Sequence, residues 1–126
     1  VGSAQGRVLL VEDDEQVRNL TSRVLKMLGY EVCVQADADK TLKWLEGNRD
    51  CDLLITDVIM PGLDGGRLAQ AVRQRIPNLP VLFISGYADD RLAQCGITPE
   101  EENFLGKPFT PAQLQRKLSE VLSAKK

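Results

Sequence analysis

Arg7-Val8-Leu9-Leu10-Val11-Glu12-Asp13-Asp14 carries an unbroken apolar run that ends in three carboxylates. A short strand with apolar side chains at consecutive positions is buried on both faces, as in a parallel sheet covered by helices on either side. The acids that follow then stand at the carboxyl end of a strand, where open α/β sheets hold ligands.

Working outward, the same unit recurs. A helix is predicted from about Glu15 to Leu28, with Val17, Leu20, Val24, Leu25 and Leu28 on one face, Asp14 as N-cap and Gly29 as the stop. Glu31 to Gln35 reads as a second strand, and a helix follows from about Ala38 to Glu46 with Leu42 and Leu45 inward. Leu53-Leu54-Ile55-Thr56 is a third strand that delivers Asp57 at its end. Pro61, Gly62, Gly65 and Gly66 mark a loop, and Leu68, Ala71, Val72 and Ile76 define a third helix stopped before Pro77. Val81-Leu82-Phe83-Ile84 is a fourth strand ending at Ser85-Gly86. A short helix is predicted from about Asp89 to Cys95, then a brief fifth strand from Asn103 to Gly106. The last helix has a capping box, Thr110 with Gln113, Pro111 at its first position, and a stripe of Leu114, Leu118, Val121 and Leu122. Five strands alternating with five helices predict an α/β fold: a doubly wound parallel sheet in a three-layer α/β/α sandwich.

With 126 residues, 43% of them hydrophobic, the chain suits one domain whose core needs no disulfide or structural metal. Residues 1–6 read as a tag or linker remnant, 7–122 as the domain and 123–126 as a C-terminal tail. A net charge of -2 argues against nucleic acid or an anionic membrane surface as partner. No apolar run approaches the about 20 residues of a membrane span. Cys33, Cys51 and Cys95 form no CxxC pair, so reduced thiols in a cytoplasmic protein are expected. Histidine is absent, which removes serine–histidine and cysteine–histidine catalysis and leaves carboxylates, hydroxyls and lysines to do any chemistry.

Those groups follow the strands. Glu12, Asp13 and Asp14 come after the first, Asp57 after the third, Ser85 after the fourth and Lys107 after the fifth. Gathered at one edge, the carboxylates repel one another, and a hard cation such as Mg²⁺ or Mn²⁺ resolves the conflict with oxygen ligands. A carboxylate beside that cation and a lysine is placed to attack a phosphoryl group, because phosphoryl transfer is catalysed chiefly by positioning and charge stabilisation.

Four segments together resemble the receiver domain of response regulators and hybrid histidine kinases of bacterial two-component signalling, from about Arg7 to Leu122. They are Leu10-Val11-Glu12-Asp13-Asp14, Thr56-Asp57-Val58-Ile59-Met60-Pro61-Gly62-Leu63-Asp64-Gly65, Phe83-Ile84-Ser85-Gly86-Tyr87 and Gly106-Lys107-Pro108-Phe109. The resemblance implies a flavodoxin-like sheet in the order 2-1-3-4-5. It implies that Asp57 is the phosphoacceptor, and that Glu12, Asp13, Asp57 and the main-chain carbonyl of Ile59 hold Mg²⁺ or Mn²⁺. Ser85 and Lys107 would bind the phosphoryl group, Ser85 and Phe104 would form the switch, and the bond to Pro108 would be cis. The implied donor is the phosphohistidine of a histidine kinase, in the same parent chain or on a partner, with a histidine phosphotransfer protein as a further partner. The domain would catalyse its own phosphorylation and dephosphorylation rather than turn over a substrate.

Three positions depart from the commonest pattern: Glu12 replaces aspartate, Ser85 replaces threonine, and Phe104 lacks a tyrosine hydroxyl, so a switch there works through packing. Gly96 to Glu102 is irregular, which shortens the expected fourth helix; with the Ser85-Gly86-Tyr87 run and the few residues after Leu122, this looks more like receivers of hybrid histidine kinases. The bulky Ile59 and Tyr87, each two residues past a phosphoryl-site residue, are expected to obstruct the hydrolytic water and prolong the phosphorylated state. Other classes fit less well. A haloacid-dehalogenase-type phosphatase wants an acid where Ile59 stands, and a flavodoxin-like electron carrier would not place Glu12-Asp13-Asp14 against a phosphate without a metal. A pseudo-receiver would lack the acceptor, the acidic pair or the lysine.

Overall fold

The computed structural model describes residues 6–47, 51–58, 64–85, 103–106 and 109–123. Five strands, β1 (Arg7–Val11), β2 (Glu31–Gln35), β3 (Leu53–Asp57), β4 (Val81–Ser85) and β5 (Asn103–Gly106), form one parallel sheet in the order β2-β1-β3-β4-β5. Four helices are seen among the described residues: α1 (Glu15–Met27), α2 (Ala38–Gly47), α3 (Gly65–Arg75) and α4 (Pro111–Ser123). The helix expected over 89–95 lies outside the described residues.

Strand alternation divides the core in two. Val8, Leu10, Leu53, Ile55, Leu82 and Ile84 point to the side covered by α1 and α4, where Val24, Leu25, Leu114, Leu118 and Val121 meet them. Leu9, Val11, Leu54, Val81 and Phe83 point to the other side, against Ala38 and Leu45 of α2 and Leu68, Ala69 and Val72 of α3. This explains why β1, β3 and β4 read as continuous apolar runs: each strand is covered on both faces.

Local signals set most helix ends. The Asp14 side chain accepts from the Gln16 and Val17 amides at 2.9 and 3.2 Å. Gly29, with φ 96°, closes α1: its amide donates to Lys26 O at 3.1 Å, and Tyr30 N donates to Leu25 O at 3.0 Å. The predicted capping box is present, with Thr110 N to Gln113 Oε1 at 2.8 Å and Gln113 N to Thr110 Oγ1 at 3.1 Å.

Three expectations need correction. Leu20 is 47% exposed, and Thr21 is buried instead, because Val17, Thr21, Val24, Leu25 and Leu28 are the positions that share one helical stripe. On α3 the buried stripe runs through Gly65, Leu68, Ala69 and Val72 rather than Ala71, which is only half-buried. Gly65 and Gly66 are therefore the first residues of a helix, not of a loop; Asp64 is the N-cap and accepts from Arg67 N at 2.9 Å.

Candidate functional site

The parallel sheet brings the carboxyl ends of β1, β3 and β4 side by side. Glu12 leaves β1 and turns inward, only 1% exposed, while the neighbouring Asp13 is exposed. Asp57, 6% exposed, ends β3 beside it. One carboxylate oxygen from each of Glu12, Asp13 and Asp57 lies within 4.8 Å of the other two, an arrangement able to hold a metal ion. Two acids that are nearly buried and a third that is exposed beside them form an oxygen-only donor set, which suits a hard divalent cation rather than zinc or copper.

The backbone under these acids is tied down. Val58 N donates to Ile84 O at 3.0 Å, joining the end of β3 to β4, and Thr56 Oγ1 donates to the Asp57 carbonyl at 3.0 Å. Ser85, 3% exposed, is the last residue of β4, one position beyond the Asp57–Ile84 register pair. Phe104 on β5 pairs in register with Phe83, their ring centroids 6.4 Å apart at 32°. Ile59, Tyr87, Lys107 and Pro108 lie outside the described residues. So do the carbonyl of Ile59 and the bond preceding Pro108.

Two further residues shape the site that are not among the site residues expected from the sequence: Gly65 reads there only as a loop marker within the segment 56–65, and Arg18 is not singled out. Gly65 packs on the main chain of Asp57 and Val58. Its amide donates to Val58 O at 2.7 Å, and a Cβ there would overlap the Asp57 carbonyl oxygen and stand 3.0 Å from Val58 Cα. Arg18, in the first turn of α1, reaches back so that Nη1 donates to Glu12 O at 3.0 Å. Neither contact has a local sequence signature, since both form only when a helix is seated against the sheet edge.

A doubly wound sheet with an acidic trio at the carboxyl ends of β1 and β3 defines a class of α/β proteins with an acidic pocket at the sheet edge, and comparison narrows it. The chain belongs to the response regulator receiver domain family, whose model matches residues 8–119. It is 36% identical over 121 residues to the sensor kinase CckA of Brucella abortus, covering 95% of this chain and 13% of that protein. It is 31% identical over 118 residues to the response regulator receiver protein CpdR of the same organism, covering 94% of this chain and 98% of that one. The crystal structure of the receiver domain of the hybrid histidine kinase CckA superposes with a TM-score of 0.76 at 37% identity, over 93% of this chain and 99% of that one. The chain spans about half, or much less, of the length of most curated relatives it matches first. No helix among the described residues is long and apolar enough to cross a membrane.

Proposed function

We infer that Asp57 accepts a phosphoryl group from a kinase phosphohistidine in a Mg²⁺-dependent reaction, and that the domain relays this mark by conformational change. The observation that carries the reading is the meeting of Glu12, Asp13 and Asp57 within 4.8 Å, with Asp57 held nearly buried at the end of a central strand. An Asp57 carboxylate oxygen attacks phosphorus; the O–P bond forms as the N–P bond of the donor breaks, and the histidine nitrogen takes up a proton. When bound, Mg²⁺ supplies charge neutralisation on the transferring oxygens, and Mn²⁺ would serve in the same way. Glu12, Asp13, Asp57 and the Ile59 carbonyl would hold it. Ser85 and Lys107 receive the phosphoryl oxygens. The added charge of about -1.5 to -2 draws Ser85 inward, and Phe104 follows by repacking.

The likeness to the CckA receiver supports an origin in a hybrid histidine kinase, with the donor histidine elsewhere in the parent chain or on a partner and a histidine phosphotransfer protein as a further acceptor. A free-standing receiver protein such as CpdR is the second reading. The coding sequence on either side of this chain separates the two. A cytoplasmic location follows from either origin.

Incubation with acetyl phosphate and Mg²⁺, read by intact mass, is expected to add one phosphoryl group to the wild type and none to Asp57→Asn or to an EDTA-treated sample. A wild type that stays unmodified, or an Asp57→Asn variant that still gains the mass, would sink the reading. The same assay followed in time tests the proposed persistence of the mark. Decay should be several-fold faster in the Ile59→Asn/Tyr87→Glu double variant, and unchanged decay removes Ile59 and Tyr87 as tuning residues.

A further inference from the structure

The geometry points to Arg18 as a positioning residue for the cation-binding acids: its guanidinium holds the main chain of Glu12, and through it the Glu12-Asp13 pair, in the arrangement a divalent ion needs. This rests on the Mg²⁺ reading above and adds to it a residue outside the acidic trio.

The loop that carries two of the three acids is fastened at several points. Glu12 N donates to Gln35 O of β2 at 3.2 Å. Glu12 Oε1 accepts from Asp14 N at 3.1 Å, and the Asp14 side chain caps α1. The remaining main-chain handle, Glu12 O, accepts from Arg18 Nη1 at 3.0 Å, across six residues of chain and in a partly buried setting. Glu12 O belongs to the peptide that leads directly into Asp13. Rotation of that peptide would swing the Asp13 carboxylate, which is exposed and so has little packing to hold it. Mg²⁺ tolerates little of this, because it requires near-octahedral oxygens at about 2.0–2.1 Å. Residues that orient metal ligands typically change affinity by about 10–100-fold when removed.

The alternative role for Arg18 is electrostatic, and it has the opposite sign. A guanidinium beside the acidic trio repels an incoming cation, so charge alone predicts tighter Mg²⁺ binding when Arg18 is neutralised. Positioning predicts weaker binding. The direction of the change therefore separates the two.

The experiment is a MgCl2 titration of the whole chain by calorimetry, comparing wild type, Arg18→Met and Arg23→Met, with thermal unfolding in EDTA as a check on folding. Methionine keeps the aliphatic stem and removes the donor. Arg23 is exposed on the same helix and removes the same charge without touching Glu12. Arg18→Met is expected to bind Mg²⁺ about tenfold more weakly, with Arg23→Met within a factor of about two of wild type. Arg18→Lys, which retains a donor, should recover part of the loss. An unchanged or tightened affinity in folded Arg18→Met, or an equal loss in Arg23→Met, overturns the inference while leaving the Mg²⁺ site standing. If Arg18→Met does not fold, wild-type affinity in Arg18→Gln, whose shorter amide falls short of Glu12 O, overturns it equally. A wild type that binds no Mg²⁺ overturns both this inference and the functional reading beneath it.

Discussion

Gly65→Ala is expected to cost about 3 kcal/mol of folding stability and to abolish the phosphoryl acceptance proposed for Asp57. Gly65 opens the buried stripe of α3, and its backbone lies directly on Asp57 and Val58. The added methyl group would occupy the space of the Asp57 carbonyl oxygen and stand 3.0 Å from Val58 Cα. Both are main-chain atoms of a central strand end, so no flexible side chain can yield. Either α3 lifts off the sheet, losing the 2.7 Å bond from Gly65 N to Val58 O, or the end of β3 shifts and carries Asp57 away from Glu12 and Asp13. Gly47→Ala is the control, because a Cβ at Gly47 meets nothing within 4 Å. Denaturant unfolding and acetyl phosphate labelling check both halves. A Gly65→Ala protein with wild-type midpoint and wild-type labelling would show that the close approach does not constrain the site.

Asp57→Asn should be more stable than wild type in EDTA, by about 1–2 kcal/mol, and the order should narrow or reverse in saturating Mg²⁺. Three carboxylates within 4.8 Å, two of them nearly buried, repel one another when no cation lies between them. Asparagine keeps the shape and removes one charge, relieving two of the three repulsive pairs. Mg²⁺ held as proposed would stabilise the folded wild type by mass action, about 2.7 kcal/mol at a hundred times its dissociation constant, and would stabilise the variant less because one ligand charge is gone. Thermal melts with and without Mg²⁺ read the crossover. Equal melting of the two proteins in EDTA would mean that the acids are already compensated, and that Mg²⁺ is not needed to relieve them.

The strands were legible because a sheet covered on both faces demands unbroken apolar runs, and Val8 to Val11, Leu53 to Ile55 and Val81 to Ile84 supply them. Helix ends were legible where a single side chain or glycine closes hydrogen bonds within a few residues, as at Asp14, Gly29 and the Thr110–Gln113 box. Leu20 and Ala71 misled because hydrophobicity alone cannot tell which of several nearby positions on a helix faces the sheet; packing chose Thr21 and Ala69.

By itself, then, the sequence determined the alternation of strand and helix and the placing of Glu12, Asp13, Asp57 and Ser85 just at or beyond strand ends, because these depend on side-chain periodicity and on local backbone chemistry. Only the tertiary structure decided that the acids meet within 4.8 Å, that Gly65 must lack a side chain, and that Arg18 fastens the loop of Glu12. Those contacts join segments of chain through the docking of helices on the sheet. Their geometry is set by how the layers pack, which no single stretch of residues encodes.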